Sequence, residues 1–189
     1  VGSEMCIRDR CNVDYRLLGD QDNSVTLDQI VSDVFGAVLW AKENIGQYQG
    51  DAKRFAVTGD SAGAHLSASV VNLGHLLSAD GYALGNLKFR PSYLPAGMSP
   101  EQVVLNRGLE VQAAVLSYGA FDISSRGAGN FETWKNPFWY MGGALPRGIF
   151  GDAYTLQTHP DLYQGVSPIH NIPLSAVSYT HLTLPTTDR

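Results

Sequence analysis

The chain has 189 residues, of which 44% are hydrophobic and 16% charged, and its formal net charge at pH 7 is −5. That length fits at most one domain, and the balance describes a packed core, which excludes a disordered chain. The acidic excess argues against a nucleic-acid partner, and no apolar run approaches the roughly 18 residues that a membrane span needs.

Residues 1–10 (VGSEMCIRDR) and 177–189 (VSYTHLTLPTTDR) stand apart from the sequence between them. Both resemble peptides that arise when sequencing-adapter DNA is translated at the ends of assembled reads. The expectation is an artefactual leader over 1–10, a partial domain over 11–176 and an artefactual tail over 177–189. The charges of the two ends cancel, with Arg8, Arg10 and Arg189 against Glu4, Asp9 and Asp188. Cys6 lies in the leader and Cys11 beside it, so the two cysteines say nothing about redox compartment. With the natural N-terminus expected to be missing, no signal peptide can be judged and the compartment stays open.

Residues 12–17 can form a strand leading into a turn-rich loop. From Leu27 to Tyr48, apolar residues recur at three- and four-residue steps, which predicts a helix. Gly46, Gly50 and Asp51 are expected to end it. Residues 54–58 read as a buried strand, 62–72 as a helix of small and apolar residues, and 111–118 as a second buried strand. A short helix is expected near 99–106. Strands alternating with helices predict an α/β fold with a mostly parallel sheet. Residues 122–164 break that alternation and read as a cap-like insertion, because long excursions in compact domains commonly serve as lids or binding loops. Its aromatics Trp134, Phe138 and Trp139 are candidates for lining a substrate pocket; equally, they can form a small core of the cap itself.

Between the predicted strand at 54–58 and the helix at 62–72 stands Gly59-Asp60-Ser61-Ala62-Gly63, which fits the G-x-S-x-G nucleophile elbow. In that turn a serine hydroxyl is pushed clear of the sheet, and glycines are expected at both flanks because side chains there would crowd strand and helix. Ser61 is therefore the candidate nucleophile, and the Ala62 backbone N–H the candidate oxyanion donor. A nucleophilic serine also needs a base, a group to orient it and further oxyanion donors. No glycine-rich oxyanion loop precedes Ser61.

The histidines offer little as a base. His65, one helical turn beyond Ser61, points toward packing. His75 and His159 read as surface or loop, His170 as a remote candidate, and His181 falls in the tail. Asp122 follows a strand and is a candidate acid, whereas Asp60 is expected to brace the turn or neighbouring backbone. Neither a metal-ligand spacing nor a phosphate-loop pattern is present, so no cofactor is expected.

Residues 12–173 resemble the central part of an α/β-hydrolase of the esterase/lipase group that includes the hormone-sensitive-lipase-like carboxylesterases. The matching positions are Tyr15-Arg16-Leu17, then Asp33, Ala37, Trp40 and Asn44, Gly50-Asp51, the elbow with His65-Leu66 behind it, and Ser167-Pro168-Ile169. The resemblance implies an incomplete α/β-hydrolase fold and a serine carboxylester hydrolase acting on a small-molecule ester through an acyl-enzyme. In such enzymes the catalytic acid and histidine follow a segment like residues 167–173, so both are expected outside this segment and the chain is expected to be inactive as it stands. Two alternatives remain open on the same fold: a small-ligand binder without turnover, and a peptidase or acyltransferase using the same serine.

Overall fold

The computed structural model describes residues 10–18, 24–79, 88–137, 148–151 and 154–173. The long amphipathic stretch folds as α1 (Leu27–Asn44) and continues as a 3-10 turn over Ile45–Tyr48. The chain then leaves through Gln49, at φ 64, so a left-handed glutamine and not Gly46 ends the helix. At the other end the Gln29 side chain accepts the Thr26 amide (3.3 Å), giving a donor beside the helix start a partner. The buried face carries Ile30, Val31, Val34, Phe35, Val38 and Leu39, the three- and four-residue spacing seen in the sequence.

Residues 12–17, expected as a strand, are not one in the structure. A strand needs a neighbour to exchange hydrogen bonds with, and the described sheet does not reach this segment. A side chain anchors it to α1 instead. Arg16 forks onto Asp33, with Nε 2.7 Å from Oδ2 and one terminal nitrogen 2.8 Å from Oδ1, while its own amide donates to Oδ2 (3.1 Å).

The sheet is one parallel pair. In β1 (Ala56–Asp60) and β2 (Ala113–Ser117), Ala56 lies opposite Ala113 and Asp60 opposite Ser117. Between them in sequence, α2 (Ala62–Leu73) packs on both strands. The two strands were expected to be buried, yet β1 is only half-covered and β2 is mostly exposed, with Val115 at 61% and Leu116 at 40%. A parallel strand is buried when helices cover both faces and strands flank both edges. Among the described residues β1 and β2 are the only paired strands, so their outer edges carry no neighbour.

The short helix α3 (Pro100–Leu105) forms where expected. Ser99 Oγ accepts the Gln102 amide (3.3 Å), the Gln102 side chain accepts the Ser99 amide (2.7 Å), and Pro100 sits where its missing N–H costs nothing. Beyond β2 come α4 (Ile123–Ala128), α5 (Pro160–Gly165) and a 3-10 turn over Pro168–His170. The described parts of the 122–164 excursion share the main core: Ile149, Phe150, Leu162 and Tyr163 pack in one cluster with Phe35, Val70 and Leu73. The Tyr163 phenol donates to the Glu132 carboxylate (2.8 and 3.0 Å), which also takes the Ile149 amide (2.6 Å). Burial, then the adjacent Glu132 charge, pushes the Tyr163 phenol far above its ordinary range, so it stays a donor. Among the described residues no helix is long and apolar enough to cross a membrane.

Ser167, fully buried, brackets this region: its Oγ accepts the Ile123 amide (2.9 Å) and donates to the Tyr163 carbonyl (2.6 Å). Ser167→Ala orphans both groups and is expected to cost about 1–3 kcal/mol. In a thermal melt that lowers Tm by roughly 5 °C; an unchanged Tm would show that the two bonds add nothing.

Candidate active site

One residue makes the turn from strand to helix. β1 ends at Asp60, α2 begins at Ala62, and Ser61 between them has φ 53 and ψ −112. A non-glycine residue in this region carries about 1–3 kcal/mol of strain and persists only where its surroundings hold it. The Ser61 amide donates to the Ser117 carbonyl (3.0 Å), extending the β1–β2 ladder past its last pair, and the Ser61 carbonyl accepts the His65 amide (3.2 Å), starting α2. The backbone is thus fixed on both sides of the turn, and the side chain is exposed.

The flanking glycines are not equivalent. A Cβ on Gly59 would sit 2.3 Å from the Gly63 carbonyl carbon and 2.4 Å from its oxygen, so a bare Cα is what lets the helix fold back onto the strand. A Cβ on Gly63 would meet nothing within 4 Å. The expected crowding therefore holds at Gly59 only. Gly63 borders a groove of about 1410 Å³ between α1, α2, β1 and residues 10–15, which leaves room on its side.

Ala62 opens α2, so its N–H belongs to the first-turn amides that a helix leaves without an internal partner. That amide and the exposed Ser61 hydroxyl stand on adjacent residues at one helix end. Asp60 is exposed, and among the described residues no hydrogen bond of its carboxylate braces the turn.

His65 is 3% exposed and lies within 2.7 Å of the Ala120 carbonyl through Nδ1. A carbonyl only accepts, so Nδ1 carries the proton; the other ring nitrogen is buried without a partner among the described residues. Burial lowers the pKa of His65, and the Ala120 carbonyl offsets this in part. The ring is held neutral, in the packing role expected of it.

Asp122 and His170 come together, with carboxylate and Nε2 3.3 Å apart. Asp122 also caps α4 by accepting the Ser125 amide (3.0 Å); that bond first, and His170 after it, keeps its pKa low. Among the described residues no hydrogen bond or ion pair links this pair to Ser61. Asn72 donates to the Pro168 carbonyl (3.0 Å), which puts the His170 turn against the far end of α2. At 1.5 Å per residue, Asn72 is about 16 Å along the helix from Ser61. His75 is exposed after α2; His159, half-buried, bonds to Thr158 Oγ1 (2.9 Å) and packs edge-on against Tyr154. Trp134 is half exposed, two residues beyond the Glu132 anchor. Phe138, Trp139 and His181 lie outside the described residues.

Sequence reasoning missed the Arg16–Asp33 fork and the loop after β2. There a Cβ on Gly119 would lie 2.9 Å from that of Ala64, so the loop seats on the first turn of α2. A glycine just past an apolar strand was the available signal.

The profile of the BD-FAE family matches residues 10–177. The chain belongs to the BD-FAE family. The family is of the esterase/lipase type of α/β-hydrolase, and the parallel β1–β2 pair with α2 behind it is an incomplete version of that fold. Two curated relatives are esterases of Mycobacterium tuberculosis. Esterase LipQ is 31% identical over 155 residues, covering 82% of this chain and 28% of that protein. Carboxylesterase NlhH is 39% identical over 62 residues, 33% of this chain and 18% of that protein. A propionate-bound thermophilic esterase from the Planctomycetes species Thermogutta terrifontis aligns at 22% identity and a TM-score of 0.42, covering 84% of this chain and 42% of that one. The chain thus spans less than a third of the length of the curated relatives it matches.

Gly59→Ala forces backbone against backbone and is expected to unfold the elbow, whereas Ser61→Gly removes the strain and is expected to stabilise the chain by about 1 kcal/mol. Denaturant titration checks both, and a stable Gly59→Ala would contradict the geometry. Because the His65 pKa is depressed on folding, its contribution is complete above the unfolded value of about 6.5 and is lost as the pH falls below it. Tm measured from pH 7.5 to 5 is expected to fall less steeply in His65→Asn than in the parent.

Proposed function

We propose that Ser61 is the acyl-accepting nucleophile of a serine carboxylester hydrolase and that Ala62 N–H is one of its oxyanion donors. The observation carrying this reading is the Ser61 backbone: a non-glycine residue at φ 53, exposed, between a parallel strand and a helix start. Membership in an esterase-type family and esterase relatives support the ester as substrate. Ser61 Oγ attacks the ester carbonyl carbon as its proton passes to a base. The negative oxygen so formed lies against Ala62 N–H; a donor of this kind is worth about 3–4 kcal/mol. Collapse breaks the bond to the alkoxy oxygen, which leaves as the alcohol with the proton from the base. Water then attacks the acyl-enzyme and the carboxylic acid departs, restoring Ser61.

The base is not among the described histidines. His65 is committed to Ala120, His170 faces Asp122, and no bond among the described residues connects His170, His75 or His159 to Ser61. On this reading the histidine, its acid and the remaining oxyanion donors come from sequence of the parent protein outside this segment. The 189-residue chain then holds a poised but unactivated serine. The ester pocket on this reading draws on the cap-like segment, with Trp134, Phe138 and Trp139 as candidate lining residues.

Turnover of p-nitrophenyl acetate tests the reading. The parent protein is expected to hydrolyse it, and Ser61→Ala to lower kcat by at least ~10³-fold; the 189-residue chain is expected to match its own Ser61→Ala variant. Undiminished activity of the parent's Ser61→Ala variant would overturn the nucleophile assignment. A parent that binds esters without cleaving them would favour a ligand-binding homologue.

A further inference from the structure

We infer that His65 is a positioning residue for Ser61, clamping the loop after β2 to the first turn of α2 through its Nδ1–H bond to the Ala120 carbonyl. The inference rests on the reading of Ser61 as nucleophile, but its geometry is independent of any reactivity.

The Ser117 carbonyl that receives the Ser61 amide is followed at once by Tyr118, another non-glycine residue at positive φ, here 43. Two strained residues, one just past each strand, therefore flank a single hydrogen bond. Strain of this kind relaxes unless neighbouring contacts over-determine the backbone. On the strand side the β1–β2 ladder supplies them. Beyond the strands, contacts among the described residues tie the two sides together: Gly119 lies against Ala64, and His65 reaches Ala120 over 2.7 Å. The first is a contact of small groups and sets a distance. The second is directional, and it joins the residue four past Ser61 to the residue two past Tyr118.

The ring makes no other hydrogen bond among the described residues, since its second nitrogen is buried without a partner. An unpaired buried acceptor is unfavourable, and leucine would fill a similar space without it. What leucine lacks is the donor. The loop held by this bond also feeds the rest of the fold: the Phe121 carbonyl accepts the Ile169 amide (3.3 Å), and Asp122 caps α4. His65 thus sets the first turn of α2, and with it the direction of the Ser61 hydroxyl, against a loop already fixed on its far side.

Amide hydrogen exchange in the 189-residue chain, read by NMR, tests the clamp. In His65→Asn the side-chain amide nitrogen can stand where Nδ1 stood, so the bond is kept. In His65→Gln it lies one carbon further out, and in His65→Leu there is no donor. The Ser61 amide is expected to exchange at least ~10-fold faster in the Gln and Leu variants and within about 2-fold of the parent in the Asn variant, because local opening sets exchange of a bonded amide. The Leu162 and Val166 amides of the core are expected to hold their rates in all three. Parent-like Ser61 exchange in both Gln and Leu overturns the proposal, as does an Asn variant that loosens or unfolds. If Leu alone fails to fold, the Asn–Gln comparison decides. A clamp that behaves as expected around a serine that never takes an acyl group would sink the nucleophile reading and leave the positioning geometry standing.

Discussion

The Ser61 amide donates to the Ser117 carbonyl, and that bond fixes everything else at the site. It continues the parallel ladder one residue beyond β1 and stops the chain from relaxing out of its left-handed turn. Because the ladder is committed up to Ser61, the next residue must already be helical. The close approach of Gly59 to Gly63 is the steric condition for that reversal. Neither feature suffices alone. Without the bond the strain would relax, and without the bare Cα at Gly59 the helix could not fold back onto the strand directly after the serine.

The core lies away from this turn. Phe35 meets Phe89 edge-on, Phe150 meets Tyr163, and α1 and α2 bring their apolar faces together beneath the sheet. Most of the burial is therefore in the helical layer, while β2 shows its apolar side chains to solvent. The elbow is mounted on the first turn of a well-packed helix and on the end of a thinly covered strand. That asymmetry explains why ties between α2 and the loop after β2 carry weight. The His65–Ala120 bond and the Gly119 contact couple the thinner partner to the better-packed one.

Local signals in the sequence were readable, and those needing a distant partner were not. The spacing of Ile30, Val34, Phe35 and Val38 sets the buried face of α1, and Ser99-Pro100 marks the start of α3 by capping chemistry that acts within three residues. The pentapeptide around Ser61 belongs to the same class, since strand, turn and helix are adjacent in sequence. The burial of β1 and β2 was misread because apolar composition reports what a strand is suited to, whereas burial depends on neighbours many residues away. Residues 12–17 failed as a strand for the same reason. Arg16 and Asp33, 17 positions apart, were noticed only as points of resemblance; their fork gives that resemblance a physical cause. Ser167 and Pro168 are similar, one bracketing Ile123 and Tyr163, the other accepting from Asn72. Asp122 and His170 read as weak acid and base candidates; they meet each other, with no bond to Ser61 among the described residues.

The backbone angle at position 61 decides whether the serine sits on an elbow at all. Residual dipolar couplings across Asp60, Ser61 and Ala62 measure it directly in the 189-residue chain. The expected result is a positive φ near 53 at Ser61 with its amide protected by Ser117. A negative φ, or a Ser61 hydroxyl shielded from solvent within a continuous strand, would contradict it.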